Sequence, residues 1–278
     1  MSQLSIPTTQ LRDGTPIPLV GFGTSGMRGV DAAKAIAAAL ESGYRLIDTA
    51  AQYGNEAAVG EGVRLSGVPR EEVLLTTKVA GGDQGKGSTR SGVEGSLRRL
   101  GVEYADLVLI HWPNPSRGLA VETWQELLEL REEGLIAHVG VSNFLPDQLT
   151  ELHEATGVWP EVNQIQLSPA LPRQESLAFN NEHGIVTEGW GPLGGREGLA
   201  DQFALQRVAS KHGVTGSQVA LRWAVDQGVV VIPKSANPER QRANAQLDFA
   251  LDDEDRQLLA SLDLGEEHAW DSRTHEEW

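Results

Sequence analysis

Residues 46–54 read LIDTAAQYG, an apolar run that stops on Asp48 and is followed five residues later by Tyr53. Residues 73–79, VLLTTKV, carry Lys78 near their end, and residues 107–112, LVLIHW, run into His111. A strand buried on both faces calls for Val, Ile and Leu, whereas the C-terminal mouth of a parallel β/α barrel is where rigidly held polar groups perform chemistry. Three consecutive apolar runs that close on titratable side chains therefore point to a barrel enzyme.

Working outward, apolar runs bounded by turn residues mark eight strands: Leu19 to Phe22, Tyr44 to Asp48, Val73 to Lys78, Asp106 to His111, His138 to Ser142, Glu161 to Gln166, Ile185 to Trp190 and Val229 to Pro233. Helix-period segments lie between them. VDAAKAIAAALESG ends on Gly43, a natural C-cap, and STRSGVEGSLRRLG starts on a Ser or Thr cap and ends on Gly101. Strand and helix in alternation imply parallel pairing through right-handed crossovers, and eight repeats suit closure into a (β/α)8 TIM barrel. QLRDGTPIP (10–18) reads as a hairpin plugging one barrel end, GVTGSQVALRWAVDQG (213–228) as an extra helix, and LDDEDRQLLASL as a capped helix leading into a polar, Trp-containing tail loop. One domain spanning residues 1–278 is expected.

The bulk properties narrow the function. With 39 acidic and 23 basic residues the net charge is -16, which argues against nucleic-acid or anionic-membrane partners and obliges any anionic ligand to find a local basic pocket. Absence of cysteine excludes disulfides, thiolate metal sites and cysteine nucleophiles. No secretory signal pattern and no run of about 18 apolar residues stands out, so a soluble, cytoplasmic protein, expected to be monomeric, is the default.

Two motifs compete with the barrel. Gly21, Gly23 and Gly26 satisfy G-x-G-x-x-G, with Asp48 at the spacing of a dinucleotide fingerprint. Against a Rossmann unit, Pro16 and Pro18 precede a very short run, and the helix starts near Asp31, too late to receive a pyrophosphate from those glycines. AGGDQGKGS (80–88) resembles a phosphate loop, but Ala80 and Gly87 stand where Walker A needs Gly and Ser or Thr. A mobile loop after a barrel strand accounts for its glycines better.

Each of the four strand-end residues has an ordinary reading by itself: a cap, a loop aromatic, a solvated strand end, a core histidine. Together they converge on one mouth. An ammonium about 4 Å from a phenol stabilises the phenolate by about 4 kcal/mol at an effective dielectric near 20, which draws the tyrosine pKa down from about 10, with desolvation acting against it. Asp48 would keep Lys78 protonated, and His111 could orient a carbonyl oxygen beside the Tyr53 hydroxyl. No metal-ligand spacing or serine nucleophile accompanies them, so no metal is expected and an external hydride source would complete the chemistry.

LIDTAAQYGNE, LLTTK, LVLIHWP, GVSNF, VNQIQLSP, GWGPLGG and VVIPKSANPERQRAN, in this order, resemble the aldo-keto reductase family over nearly the whole chain, nearest its bacterial 2,5-diketo-D-gluconate reductase branch. The resemblance implies the same (β/α)8 barrel and NADPH-dependent reduction of an aldehyde or ketone to an alcohol, with a keto-sugar or diketone among the candidate small-molecule substrates. It implies a tetrad of Asp48, Tyr53, Lys78 and His111, with Tyr53 the general acid. Ser142, Asn143 and Gln164 would meet the nicotinamide carboxamide, Trp190 would stack on its ring, and Gly191, Leu193 and Gly194 would line the pyrophosphate. Lys234, Ser235, Asn237 and Arg240 would surround the 2'-phosphate and Asn244 would reach the adenine. Arg240's fork suits a phosphate. Phe22, Trp112 and Trp270 are candidate walls of the substrate pocket, and Ala80, standing where the family usually places Trp, is expected to open that wall. Ser168 replaces a usual His, and Ala243 stands where Gln or Glu often contacts adenine. A Schiff-base aldolase using Lys78 or Lys234 and a cofactor-binding module with little turnover are the alternatives.

Overall fold

The computed structural model describes residues 4–195 and 198–277. A hairpin of β1 (Thr8–Gln10) and β2 (Pro16–Pro18) precedes the barrel strands β3 (Phe22–Gly23), β4 (Leu46–Asp48), β5 (Leu74–Val79), β6 (Ala105–Ile110), β7 (Ile136–Ser142), β8 (Val162–Gln166), β9 (Val186–Trp190) and β10 (Val230–Val231). The eight pair in parallel in sequence order. Closure comes from a parallel bridge between Val20 and Val231, where Gly21 N donates to Val231 O at 2.8 Å and Val231 N to Leu19 O at 2.9 Å. Helices α1 (Gly29–Ser42), α2 (Glu56–Ser66), α3 (Ser88–Leu100), α4 (Ala120–Glu132), α5 (Pro146–Thr156) and α6 (Gln174–Glu182) follow successive strands. After β9 come two helices, α7 (Phe203–His212) and the expected extra α8 (Gly216–Val225). Helices α9 (Pro238–Ala245) and α10 (Asp253–Ala260) follow β10. Among the described residues no helix is long and apolar enough to cross a membrane.

The glycines that mimic a dinucleotide fingerprint have another cause. A Cβ on Gly23 would stand 2.6 Å from Ile232 O, and one on Gly21 would stand 2.6 Å from the Leu46 side chain. Both glycines let the first strand approach its neighbours at the seam. The first and last strands are shorter than the sequence suggests, because pairing there is reduced to this narrow seam. The Ser or Thr cap expected for α3 is also absent: Gly87 is its N-cap and no side-chain cap bond forms.

A period of two determines what each strand contributes. Leu46, Leu107, Leu109, Val162, Val230 and Ile232 pack together inside the barrel, with Leu11 and Ile17 from the hairpin filling its floor. The alternate residues, such as Ile47, Leu75, Val108, Val139, Val141 and Ile165, pack outward in two other clusters. Residues in step with the inner set, one layer further along, are Asp48, His111, Gln164 and Glu188. Burial of an apolar floor is thus what carries the polar layer to the mouth. Truncating the plug, Ile17→Ala, should cost about 2–5 kcal/mol of unfolding free energy while leaving steady-state ligand affinity unchanged. Denaturant titration with a parallel cofactor-binding measurement checks it.

Candidate active site

At the C-terminal mouth lies a cavity of about 580 Å³ lined by residues of every barrel strand end except β5. The missing strand supplies Lys78, which lies beneath the lining: its Nζ is 2.8 and 2.7 Å from the two Asp48 carboxylate oxygens, 3.0 Å from Thr49 O and 3.5 Å from the Tyr53 hydroxyl. The ammonium also faces the Tyr53 ring, 5.1 Å from its centroid. Tyr53 comes from a 3-10 turn, Ala51–Tyr53, that follows β4. Its ring meets His111 edge-on at 5.6 Å.

Burial sets the electrostatics. For Lys78 burial is the largest single influence and opposes the charged form, but Asp48, Tyr53 and Glu188 together outweigh it and the pKa is raised, so this lysine stays an ammonium. Tyr53 corrects the sequence expectation. Desolvation is the largest influence and raises its pKa, while the neighbouring Lys78 lowers it by less. The phenol is held protonated instead of drawn toward phenolate. His111 is shifted down, chiefly by burial, so its imidazole is favoured in the neutral form.

Ser142, Asn143, Gln164 and Trp190 form one connected set. Trp190 Nε1 donates to Asn143 Oδ1 at 2.8 Å, Asn143 Nδ2 donates to His111 O at 3.0 Å and Ser142 Oγ at 2.9 Å, and Ser142 Oγ donates to Gln164 O at 3.0 Å. Asn143 adopts a left-handed backbone, φ 65°, which an Asn tolerates better than a branched residue. Gln164 Nε2 bonds Asp48 Oδ2 at 2.8 Å and Glu188 Oε1 at 3.1 Å. With its amide hydrogens committed, Gln164 has its carbonyl oxygen left for a ligand. Gly191 and Leu193 line the cavity, but Gly194 does not: Leu199 packs on it, and a Cβ there would meet Leu199 Cγ at 2.5 Å.

Lys234, just past β10, reaches the cavity lining beside Gly26, and it is exposed. Arg240 Nε bonds Ser235 Oγ at 3.4 Å, and Asn237 Oδ1 caps α9 by accepting Arg240 N at 3.0 Å. Neither Lys234 nor Arg240 forms an ion pair with a described acidic residue. Two uncompensated cations at the positive end of a helix, in a chain this acidic, make an anion seat. Asn244 is buried on the same helix.

Two expected pocket residues are elsewhere. Phe22 is buried against Tyr44, ring centroids 5.8 Å apart, in the layer between strands and helices. Its parity is opposite to that of the inward set, and Gly23 and Ser25 line the cavity instead. Ala80 is buried and lies outside the lining. The wall expected to be open beside it is taken up by the tail, whose Glu277 backbone lies against Gly81. Trp112 and Trp270 do line the cavity.

Two carboxyl groups escaped the sequence reading. Glu188 is fully buried inside β9 with Oε2 unpartnered. Burial, followed by the Asp48 charge, pushes its carboxyl up to about 8. A charged residue within the strand run VTEGW was the available signal. Glu277 lines the cavity from the tail, and no local motif marks it.

A raised folded-state pKa makes Glu188 favourable to folding only while it is protonated in both states. Stability contributed in acid is lost as pH rises from the ordinary glutamate range toward about 8. Glu188→Gln should therefore gain thermal stability over the wild type at pH 8, and the gain should disappear near pH 4. Melting curves across that range test the sign.

The family model described as the aldo/keto reductase family matches residues 19–264. The chain is 45% identical over 274 residues, 98% of its length and 99% of the relative's, to 2,5-diketo-D-gluconic acid reductase B of Corynebacterium sp. (strain SHS752001). It is 42% identical to morphine 6-dehydrogenase of Pseudomonas putida, covering 93% of this chain and 92% of that protein. Among solved structures, a Gox0644 mutant in complex with NADPH superposes with a TM-score of 0.92 at 37% identity, covering 98% of this chain and 99% of that one.

Proposed function

The chain belongs to the aldo/keto reductase family, an assignment that makes it an oxidoreductase, and from that premise we propose that it reduces an aldehyde or ketone with NADPH, using Tyr53 as the general acid. The observation that carries this reading is the Lys78 ammonium 3.5 Å from a Tyr53 hydroxyl that burial keeps protonated, beneath a cavity lined by His111 and Trp190.

NADPH, when bound, supplies a hydride to the carbonyl carbon. The residues of this chain do the rest. Neutral His111 and the Tyr53 hydroxyl hold the carbonyl oxygen. As negative charge grows on that oxygen Tyr53 gives up its proton, and the alkoxide becomes the alcohol. The phenolate left behind lies against the Lys78 ammonium, which Asp48 fixes in place. Trp190 offers a flat apolar face for the nicotinamide ring, with the Asn143 bond steadying the indole. Gln164, its amide nitrogen bonded to Asp48 and Glu188, would offer its carbonyl oxygen to the carboxamide. Lys234 and Arg240 suit the 2'-phosphate that distinguishes NADPH from NADH. A Schiff-base aldolase is disfavoured by the same geometry: Lys78 would have to be a free amine, and Asp48 keeps it charged.

Tyr53→Phe should abolish carbonyl reduction while tryptophan-fluorescence quenching by NADPH persists; turnover near the wild-type rate in that variant would remove Tyr53 from the role. Since the reducing direction needs the phenol protonated and its pKa is raised, reduction should hold constant through neutral pH and fall only in strongly alkaline solution, with alcohol oxidation rising over the same range. Arg240→Ala should raise KM for NADPH about tenfold or more and leave KM for NADH nearly unchanged, measured in parallel steady-state assays.

A further inference from the structure

The tail folds back across the substrate end of the cavity. Trp270 N donates to Gln166 Oε1 at 3.0 Å, and the Glu276 carboxylate accepts from Ser116 N at 2.8 Å and Ser116 Oγ at 2.6 Å. Asn114 clasps the next residue from both sides, its Nδ2 donating to Glu277 O at 2.9 Å and its Oδ1 accepting Glu277 N at 2.9 Å. Gly81 permits the close approach: a Cβ there would fall 1.6 Å from Glu277 O. Arg117, which flanks the tail, is engaged with the Gly81 carbonyl.

Held this way, the Glu277 side chain turns inward and is only 24% exposed. Its Oε2 lies 2.7 Å from His111 Nδ1, a contact that draws the imidazole pKa upward against the larger effect of burial. Two indoles line the same cavity. Trp112 and Trp270 have ring centroids 6.0 Å apart and planes inclined by 25°, with His275 at 4.2 and 4.7 Å from them. Among the described residues lining the cavity, the other charged groups are Asp48, compensated by Lys78, and Lys234 at the opposite, cofactor end. The substrate end therefore carries aromatic faces and the Glu277 carboxylate, set against the His111 imidazole.

We propose that this pocket selects carbonyl compounds bearing a positive charge, an aldehyde or ketone with an ammonium group, and discriminates against those bearing a carboxylate. The selection is exerted by Glu277 with Trp112 and Trp270. A partly buried carboxylate set against an imidazole that burial keeps neutral gains from a cation brought beside it, and indole faces attract the same cation through their quadrupole. An anionic substrate meets repulsion at short range in a poorly solvated space, which is discrimination by an unfavourable contact. The chain's net charge of -16 steers approach in the same sense.

This inference rests on the carbonyl reductase reading, and the test separates the two. Three para-substituted benzaldehydes of similar size, carrying trimethylammoniomethyl, isopropyl or carboxylate, are compared by kcat/KM with NADPH. Turnover of the neutral aldehyde reports on the reductase reading alone. The cation-to-anion ratio reports on the pocket: about tenfold or more in the wild type, collapsing toward unity in Glu277→Gln and inverting in Glu277→Lys. Binding of benzyltrimethylammonium against benzoate to the NADP+ complex, followed by tryptophan quenching, reads the same preference independently of turnover. An anion preference in the wild type, or a ratio and a binding preference that neither substitution changes, would overturn the proposal.

Discussion

The ion pair between Lys78 and Asp48 is the constraint on which the site is built. Both groups are buried, and an ion pair at such depth persists only if the ammonium and carboxylate satisfy each other and their remaining hydrogen-bonding capacity. Here Lys78 spends its donors on both Asp48 oxygens, on Thr49 O and, at the limit of reach, on Tyr53. Gln164 satisfies Asp48 from the opposite side and passes the constraint to Glu188. One charge pair thereby fixes residues from four strands, and the tyrosine that faces it is held at a set distance from a permanent cation.

The same burial supports the proposed role of Tyr53 as an acid. Coulomb attraction by itself would make Tyr53 readily ionised, since an ammonium a few ångströms away favours phenolate. Loss of solvent opposes that and prevails, so the proton remains until charge develops nearby. Lys78 then acts mainly on the state that follows proton loss. Such an arrangement favours a developing charge over the resting state, which is what a catalyst of carbonyl reduction needs.

Much of this was legible in the sequence because it depends on local rules. Asp48, Lys78 and His111 stand out where apolar runs stop, and the alternation of runs with helical segments is enough to call for a closed barrel. Trp190, Lys234 and Arg240 were visible through resemblance. What escaped depends on parity or on long-range chain path. Phe22 has the apolar bulk of a pocket wall, but the two-residue period of the strand that turns Gly23 toward the cavity turns Phe22 outward onto Tyr44. Ala80 promised an open wall that the tail fills, and Glu277 reaches His111 across 166 positions of sequence that no motif connects. The sign of the Tyr53 shift was also out of reach, because desolvation is a property of the closed cavity and not of neighbouring letters.

That sign is the most direct point of attack. The chain has three tyrosines, so carbon-13 labelling at the phenol carbon gives three resonances that Tyr53→Phe assigns. Followed by NMR against pH, the Tyr53 resonance should titrate above the ordinary tyrosine value of about 10, and in Lys78→Met it should move higher still. A Tyr53 midpoint below that value, or one that removal of Lys78 leaves unchanged, would contradict the account.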